Sequence, residues 1–189
     1  MLLNMIAEAV FMSMMVSLVS AKQMNRIING KNATQGQFPY QVSWQKCKHI
    51  IADFSSKCFN FCGGSIFNEN TIITAAHCCD SIGKPNKNNN IYYWSDTKII
   101  AGDSNLADES GLEQVRKIKS HTIHPHYTRI PIQNDMCLLT LESPLKFDKY
   151  VGHISLDNQK PKVGNKCQVS GWGYQVVGLV FKVFQIKNI

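Results

Sequence analysis

The feature that most constrains the fold of this chain is a pair of cysteines, Cys62 and Cys78, sixteen positions apart, with His77 just before the second. Between them, the segment TIIT at 71–74 is β-branched at every position, which predicts a buried β-strand. Two small alanines then precede the histidine and leave room for another side chain to approach its ring. A disulfide between the two cysteines would hold the imidazole in place, as a general base requires. A lone histidine is more often structural, so this interpretation depends on the rest of the sequence.

A second polar residue, Asp135, opens an apolar segment further along the chain, DMCLLTL at 135–141. A carboxylate at the start of a buried strand is unfavourable unless its charge is used. By itself the aspartate could cap its own strand. Alternation along the strand places Cys137 in the interior, and we predict that it is a buried free thiol.

Three segments together resemble the chymotrypsin/trypsin-like serine endopeptidases. They are CGGSI at 62–66, TAAHC at 74–78 and NDMCLLTL at 134–141, and the similarity extends from about Ile27 to Gly173. The resemblance implies an all-β fold, the trypsin-like double β-barrel, for a protease domain at 27–189. The first barrel, at about 27–145, is expected to be complete. The crossover and a truncated second barrel would occupy about 146–189.

The resemblance also implies roles for individual residues. His77 would be the general base, and Asp135 would accept a hydrogen bond from the ring nitrogen nearer the backbone and set the tautomer. Cys62 and Cys78 would form a disulfide. The two triad residues are 58 positions apart (135 − 77), so only the fold can bring them together.

The nucleophilic serine of this family is absent from the sequence. The motif Gly-Asp-Ser-Gly-Gly does not occur in the 189 residues. Gly102-Asp103-Ser104 copies part of it but is followed by Asn105 and precedes Asp135, whereas the family order is His, Asp, Ser. We therefore reject Ser104 as the nucleophile.

The sequence accordingly predicts a secreted trypsin-like serine endopeptidase, made as a zymogen, of which this chain is an incomplete and inactive copy. The alternative is a catalytically dead homologue that acts as a secreted binding or regulatory module, although such a module has no need to keep both His77 and Asp135. The partners implied are protein or peptide substrates, an activating trypsin-like protease and protease inhibitors.

The N-terminal residues indicate secretion and processing. Residues 1–21 are expected to form a signal peptide, with an apolar run at 9–19 that is too short to span a bilayer and small residues before a cleavage site after Ala21. Residues 22–26 would be a short propeptide. The resemblance places activation between Arg26 and Ile27, whose new amino terminus would then fold inward.

Seven cysteines favour an oxidising compartment, and their odd number leaves at least one thiol without a partner in the chain. We expect one further disulfide among Cys47, Cys58 and Cys79, although the sequence cannot choose the pair. The resemblance implies that Cys167 is unpaired here.

The charge pattern excludes one class of partner and suggests one ligand. Twenty lysines and arginines exceed thirteen acidic residues by 20 − 13 = 7, but they are spread along the chain without interleaved aromatic residues, so nucleic-acid binding is not expected. No cofactor is required. The resemblance suggests a structural calcium site, with carboxylates from Asp103 and Glu113 and main-chain oxygens from Asn105 and Asp108. A solvated acidic loop without metal is an equal alternative.

Overall fold

Strands account for almost all of the regular structure in the computed structural model, which describes residues 32–50, 55–84, 91–159, 162, 164–173 and 187–188. The strands are β1 (Gln41–Ile50), β2 (Ser55–Asn68), β3 (Thr71–Thr74), β4 (Thr97–Ala101), β5 (Gln114–Arg116), β6 (Ile118–Ile123), β7 (Thr128–Arg129), β8 (Ile132–Gln133), β9 (Cys137–Leu141), β10 (Gln168–Val169) and β11 (Lys187–Asn188). The helical elements described are α1 (Ala76–Asp80) and a 3₁₀ turn (Trp94–Asp96). The predicted all-β fold is confirmed.

Seven strands form one curled antiparallel sheet in the order β5-β4-β1-β2-β3-β9-β6. The register of β1 and β2 shifts between Trp44 and Gln45, and such an irregularity increases local bending and twist. Strand β9 lies between β3 and β6, with Thr74 opposite Cys137. This pairing carries the segment that contains Asp135 to the end of β3, where His77 follows.

The core contains residues from several strands of the main sheet, and burial alternates clearly along β3 and β9. Val42 and Trp44 of β1, Ile72 of β3, Ile99 of β4 and Leu139 of β9 are all fully buried. The β-branched and apolar residues that predicted strands therefore occupy the inward positions, as a half-buried sheet requires.

Gly64 allows β2 and β3 to pack closely. A Cβ atom on this residue would lie 2.6 Å from Ile72 Cγ2 and 3.2 Å from Val42 Cγ2. The first distance is shorter than real Cβ contacts and the second is tighter than most of them, so the second glycine of the CGGSI segment is needed for packing.

Two small antiparallel sheets, β7–β8 and β10–β11, lie outside the main sheet. The predicted signal peptide, the propeptide, and the Arg26–Ile27 activation site fall outside the described residues. The barrel boundaries stay predictions. None of the described helices is long and apolar enough to cross a membrane.

Candidate active site

His77 lies on α1, a five-residue helix that starts two residues after β3. So short a helix is unstable by itself, because it contains too few backbone hydrogen bonds to offset the cost of nucleation. Its neighbours Ala76, Cys78 and Cys79 are buried, whereas His77 is exposed. The buried side chains next to His77 therefore hold the helix in place, while the imidazole itself is exposed to solvent.

The structure brings Asp135 against His77. The Asp135 Oδ2 atom lies 2.7 Å from Nδ1 of the imidazole, and the His77 backbone N–H donates to Oδ1 at 2.8 Å. The carboxylate thus binds the ring and the backbone of the same residue, which limits rotation of the side chain. The expected contact with the ring nitrogen nearer the backbone is present.

Asp135 is positioned by a turn just before β9. The preceding residue, Asn134, has a left-handed backbone with φ of 51°, a conformation that asparagine tolerates better than most residues. Its side-chain amide donates to the His126 carbonyl at 2.8 Å, and the Met136 N–H donates to its carbonyl at 2.8 Å. These hydrogen bonds hold the turn that aims the carboxylate at His77.

The electrostatics of the pair favour an ionised aspartate. The hydrogen bond from the His77 side chain is the main cause that lowers the pKa of Asp135, with a further contribution from the His77 backbone N–H. The side chains of His77 and Asp135 are 56% and 27% exposed. Because water competes for both groups, we expect the hydrogen bond to contribute only modestly to stability.

With the proton on Nδ1 shared with Asp135, the Nε2 atom carries the lone pair and can accept a proton. This nitrogen lies 3.4 Å from the Sγ atom of Cys78. Cys62, His77 and Cys78 also place their side-chain N and S atoms within 4.8 Å of one another, as a metal site would. Both sulfurs are bound in a disulfide, however, so neither is a thiolate ligand.

The disulfides confirm two predictions, the Cys62–Cys78 bond and a further bond among Cys47, Cys58 and Cys79, and they correct a third. Cys62 is bonded to Cys78, and Cys47 is bonded to Cys58 across the β1–β2 hairpin. The predicted free thiol at Cys137 is wrong, because this buried residue is bonded to Cys79. Strand alternation correctly predicted that Cys137 is buried. It could not predict which cysteine lies next to it, which is Cys79 of α1. Cys167 is free and exposed.

The acidic loop between β4 and β5 gathers three of the proposed calcium ligands. Asp103, Asp108 and Glu113 line one pocket of about 460 Å³. The Asp103 carboxylate accepts from the Asn105 N–H at 2.8 Å, and Glu113 accepts from the Ser110 N–H and hydroxyl, each at 2.7 Å.

Burial is the main cause that raises the pKa of Asp103 to about 6, and the nearby Glu113 and Asp108 add to the rise. For Glu113, burial acts to raise the pKa, but the hydrogen bonds from Ser110 outweigh it and lower the pKa. A group of hard carboxylate oxygens around one pocket fits a divalent cation such as calcium. The Lys98 side chain also lines the pocket.

Ser104 lies in this loop and not beside His77. Its hydroxyl donates to the Gln35 side-chain oxygen. This hydrogen bond connects the loop to the segment before β1 and agrees with the rejection of Ser104 as the nucleophile.

Comparisons with known proteins agree with this geometry. The sequence profile of the family described as Trypsin matches residues 27–183. This chain belongs to the trypsin family. It is 34% identical over 149 residues to Trypsin-1 of Astacus astacus, covering 78% of this chain and 56% of that protein. It is 32% identical over 149 residues to Serine protease 1 of Homo sapiens, covering 79% of this chain and 50% of that protein. The chain thus spans about half the length of the curated relatives that it matches.

Lys46 is a supporting residue of this trypsin-family site that the sequence analysis missed. Its ammonium donates to the Ser81 hydroxyl at 3.1 Å, and that hydroxyl donates to the Cys78 carbonyl at 2.7 Å at the end of α1. Lys46 also lies over the Phe61 ring, 4.1 Å from its centroid, and burial lowers its pKa. Strand alternation does not identify Lys46, because the register of β1 shifts between Trp44 and Gln45 and residues 42–46 are all buried.

Proposed function

We propose that this chain is a serine-type endopeptidase domain, made as a secreted zymogen, and that it is inactive as the 189-residue chain because it contains no nucleophilic serine motif. The contact between Asp135 Oδ2 and His77 Nδ1, at 2.7 Å across 58 residues of sequence, carries the proposal. A strand cap and a surface histidine would have no reason to meet. Membership of the trypsin family supports the same reaction class.

In this proposal His77 is the general base and Asp135 the residue that orients it. The carboxylate accepts the Nδ1–H hydrogen bond, which leaves Nε2 free to remove a proton from a hydroxyl nucleophile. The resulting imidazolium is stabilised by the adjacent negative charge, and it can then donate the proton to the leaving amine. The Cys62–Cys78 disulfide joins the helix of His77 to β2.

Activation by cleavage after Arg26 is part of the proposal. The sequence Arg26-Ile27-Ile28 at the start of the family match supports it. An activating protease that recognises a basic residue would release Ile27 as the new amino terminus. Protein or peptide substrates, and protease inhibitors that resemble them, are the proposed partners.

A structural calcium ion is a further proposal, at the pocket lined by Asp103, Asp108 and Glu113. The carboxylates of Asp103 and Glu113, with the main-chain oxygens of Asn105 and Asp108, are the groups that would hold it. The ion would supply positive charge to a group of carboxylates that repel one another. The residues of the chain would in turn close the loop between β4 and β5 around it.

The decisive experiment is to read the coding sequence beyond residue 189 in the mature transcript and to express the complete product. We expect a downstream Gly-Asp-Ser-Gly-Gly motif and hydrolysis of peptide esters and amides after cleavage at Arg26. His77→Ala should abolish this activity, and Asp135→Asn should lower kcat by roughly 10⁴-fold, because it disturbs the tautomer of the base. His153→Ala, at an exposed histidine stacked on Phe147, is the matched control and should retain activity.

A mature transcript that stops after residue 189 would overturn the enzyme proposal. Full activity of the complete product carrying His77→Ala would also overturn it, since the base would then be another residue.

A further inference from the structure

A disulfide and a hydrogen bond both join α1 to the residues at the start of β9, and the two links have the same separation in sequence. Cys79 is two residues after His77, and Cys137 is two residues after Asp135. The Cys79–Cys137 disulfide therefore has a sequence separation of 58, the same as the His77–Asp135 hydrogen bond. One link is covalent and buried, and the other is polar and exposed.

The covalent link lies inside the core. Cys79 is 2% exposed and Cys137 is 1% exposed, and both belong to the main cluster of buried residues. On the strand side, Cys137 pairs with Thr74 of β3 and Ile123 of β6, so it has neighbours on both sides. Asp135, by contrast, precedes the strand, and its place relative to α1 is set by the residues next to it.

The other disulfide of α1 cannot fix this relation. Cys62–Cys78 joins the helix to β2, a strand that does not pair with β9. It fixes His77 relative to β2 and leaves the segment of Asp135 to be held by β9 and by the hydrogen bonds of its own turn. Among the disulfides of the described residues, Cys79–Cys137 is the one that connects the helix of the histidine to the segment of the aspartate.

The hydrogen bond by itself is a weak restraint. His77 and Asp135 are 56% and 27% exposed, so water competes for the same atoms. A base and its orienting carboxylate, however, must be held to within a fraction of an ångström to act together. A buried covalent bond two residues from each partner can meet this requirement where an exposed hydrogen bond cannot.

From this arrangement we propose that Cys79 and Cys137 are positioning residues, whose disulfide holds His77 and Asp135 in catalytic geometry. They touch neither substrate nor reacting atoms and act through the pair. The inference rests on the proposed function, in that the pair is assigned a catalytic role there.

The first test compares two double variants of the 189-residue chain by NMR. Cys79→Ala/Cys137→Ala removes the proposed positioning link. Cys47→Ala/Cys58→Ala is the control, because it also removes one disulfide but does so in the β1–β2 hairpin. The readout is the ¹⁵N shift of the two His77 ring nitrogens, above the pH at which the ring is protonated, which reports the nitrogen that carries the proton.

We expect the unmodified chain and the control to show His77 protonated on Nδ1. In the Cys79→Ala/Cys137→Ala variant, the His77 ring should show the mixed tautomers of a free imidazole. The backbone amides of β3 and β9 should stay protected from hydrogen exchange, which shows that the sheet is folded. A variant that keeps both its folded sheet and the Nδ1–H tautomer would overturn the proposal.

A second measurement decides the matter if that variant does not fold. Linkage is reciprocal, so a disulfide that supports the hydrogen bond must also be supported by it. We expect Asp135→Asn, which keeps every cysteine, to lower the equilibrium preference of Cys79 and Cys137 for the disulfide over the two thiols in glutathione buffers by about two- to fivefold. The Cys47–Cys58 pair serves as the internal control and should not change.

An unchanged Cys79–Cys137 equilibrium in Asp135→Asn would overturn the proposal. Neither measurement depends on hydrolysis. Failure of the proposed enzyme function and failure of the positioning role are therefore separate results.

Discussion

At the scale of single residues, Asp135 makes the free energy of unfolding depend on pH. The hydrogen bond from His77 lowers the pKa of Asp135. A carboxyl whose pKa is lower in the folded chain stabilises it above the unfolded-state pKa of about 4, and this contribution is lost as the pH falls through the folded-state pKa. We expect Asp135→Asn to reduce the free energy of unfolding by about 0.5–1 kcal/mol at pH 7, and by progressively less below pH ~4.

Urea unfolding of the unmodified chain and of Asp135→Asn would measure this difference. A range from about pH 2.5 to about pH 7 brackets the pKa of an ordinary carboxyl, which is about 4. Glu142→Gln, at an exposed carboxylate, is the control. An equal pH dependence for the two substitutions would contradict the role of His77 in holding the charge.

Gly102 and Gly111 separate the effects of backbone conformation and packing. Their φ values are 79° and 76°, so alanine is strained at either position. A Cβ atom at Gly102 would lie 2.8 Å from the Leu112 carbonyl oxygen and 2.9 Å from Val151 Cγ2, whereas one at Gly111 would meet nothing within 4 Å. We expect Gly111→Ala to cost about 1–2 kcal/mol of stability, and Gly102→Ala to cost a further 1–3 kcal/mol from the close contacts. Denaturant unfolding would measure both, and equal losses would contradict the packing argument.

At the scale of elements, the loop between β4 and β5 is the segment on which calcium would act. Binding to the folded state alone stabilises a protein by RT ln(1 + [L]/Kd). With an affinity typical of extracellular sites, about 10⁻⁴–10⁻³ M, calcium at ~10 mM should add about 1–3 kcal/mol and raise Tm by several degrees. Asp103→Asn should remove most of this increase, because it replaces a carboxylate that lines the pocket.

Thermal unfolding in calcium, in magnesium and in a chelator would test the calcium proposal. Glu142→Gln again serves as the control, since its side chain lies on the exposed surface outside the pocket. An identical Tm in calcium and chelator would favour the alternative of a solvated acidic loop.

At the scale of the whole molecule, the 189 residues contain the proposed base and its proposed orienting carboxylate but no Gly-Asp-Ser-Gly-Gly motif. The covalent route and the stabilisation of the oxyanion both belong to that motif in the family. We therefore expect the 189-residue chain, folded in an oxidising host and cleaved after Arg26, to hydrolyse no peptide ester or amide above background. Turnover that persists through purification and disappears in His77→Ala would contradict this and would require another nucleophile.

In two segments, the local sequence was enough to predict that a strand forms and that it contains buried residues. The β-branched segment at 71–74 forms β3, and the apolar alternation at 137–141 forms β9 with Cys137 buried. Asp135 stood out because a carboxylate before an apolar strand is costly without a partner. The resemblance to the trypsin-like enzymes predicts that His77 is this partner.

For Cys79, Cys137 and Lys46, only the tertiary structure decided which distant residue each one contacts. Seven cysteines allow many pairings, and nothing local shows that α1 packs against β9 and so joins Cys79 to Cys137. In the same way, the pattern along β1 cannot show that Lys46 reaches the end of the helix of His77 through Ser81. The physical reason is the same in both cases. Burial and strand formation depend on each segment's own composition, whereas a bond between segments tens of residues apart depends on how the sheet curls and brings their ends together.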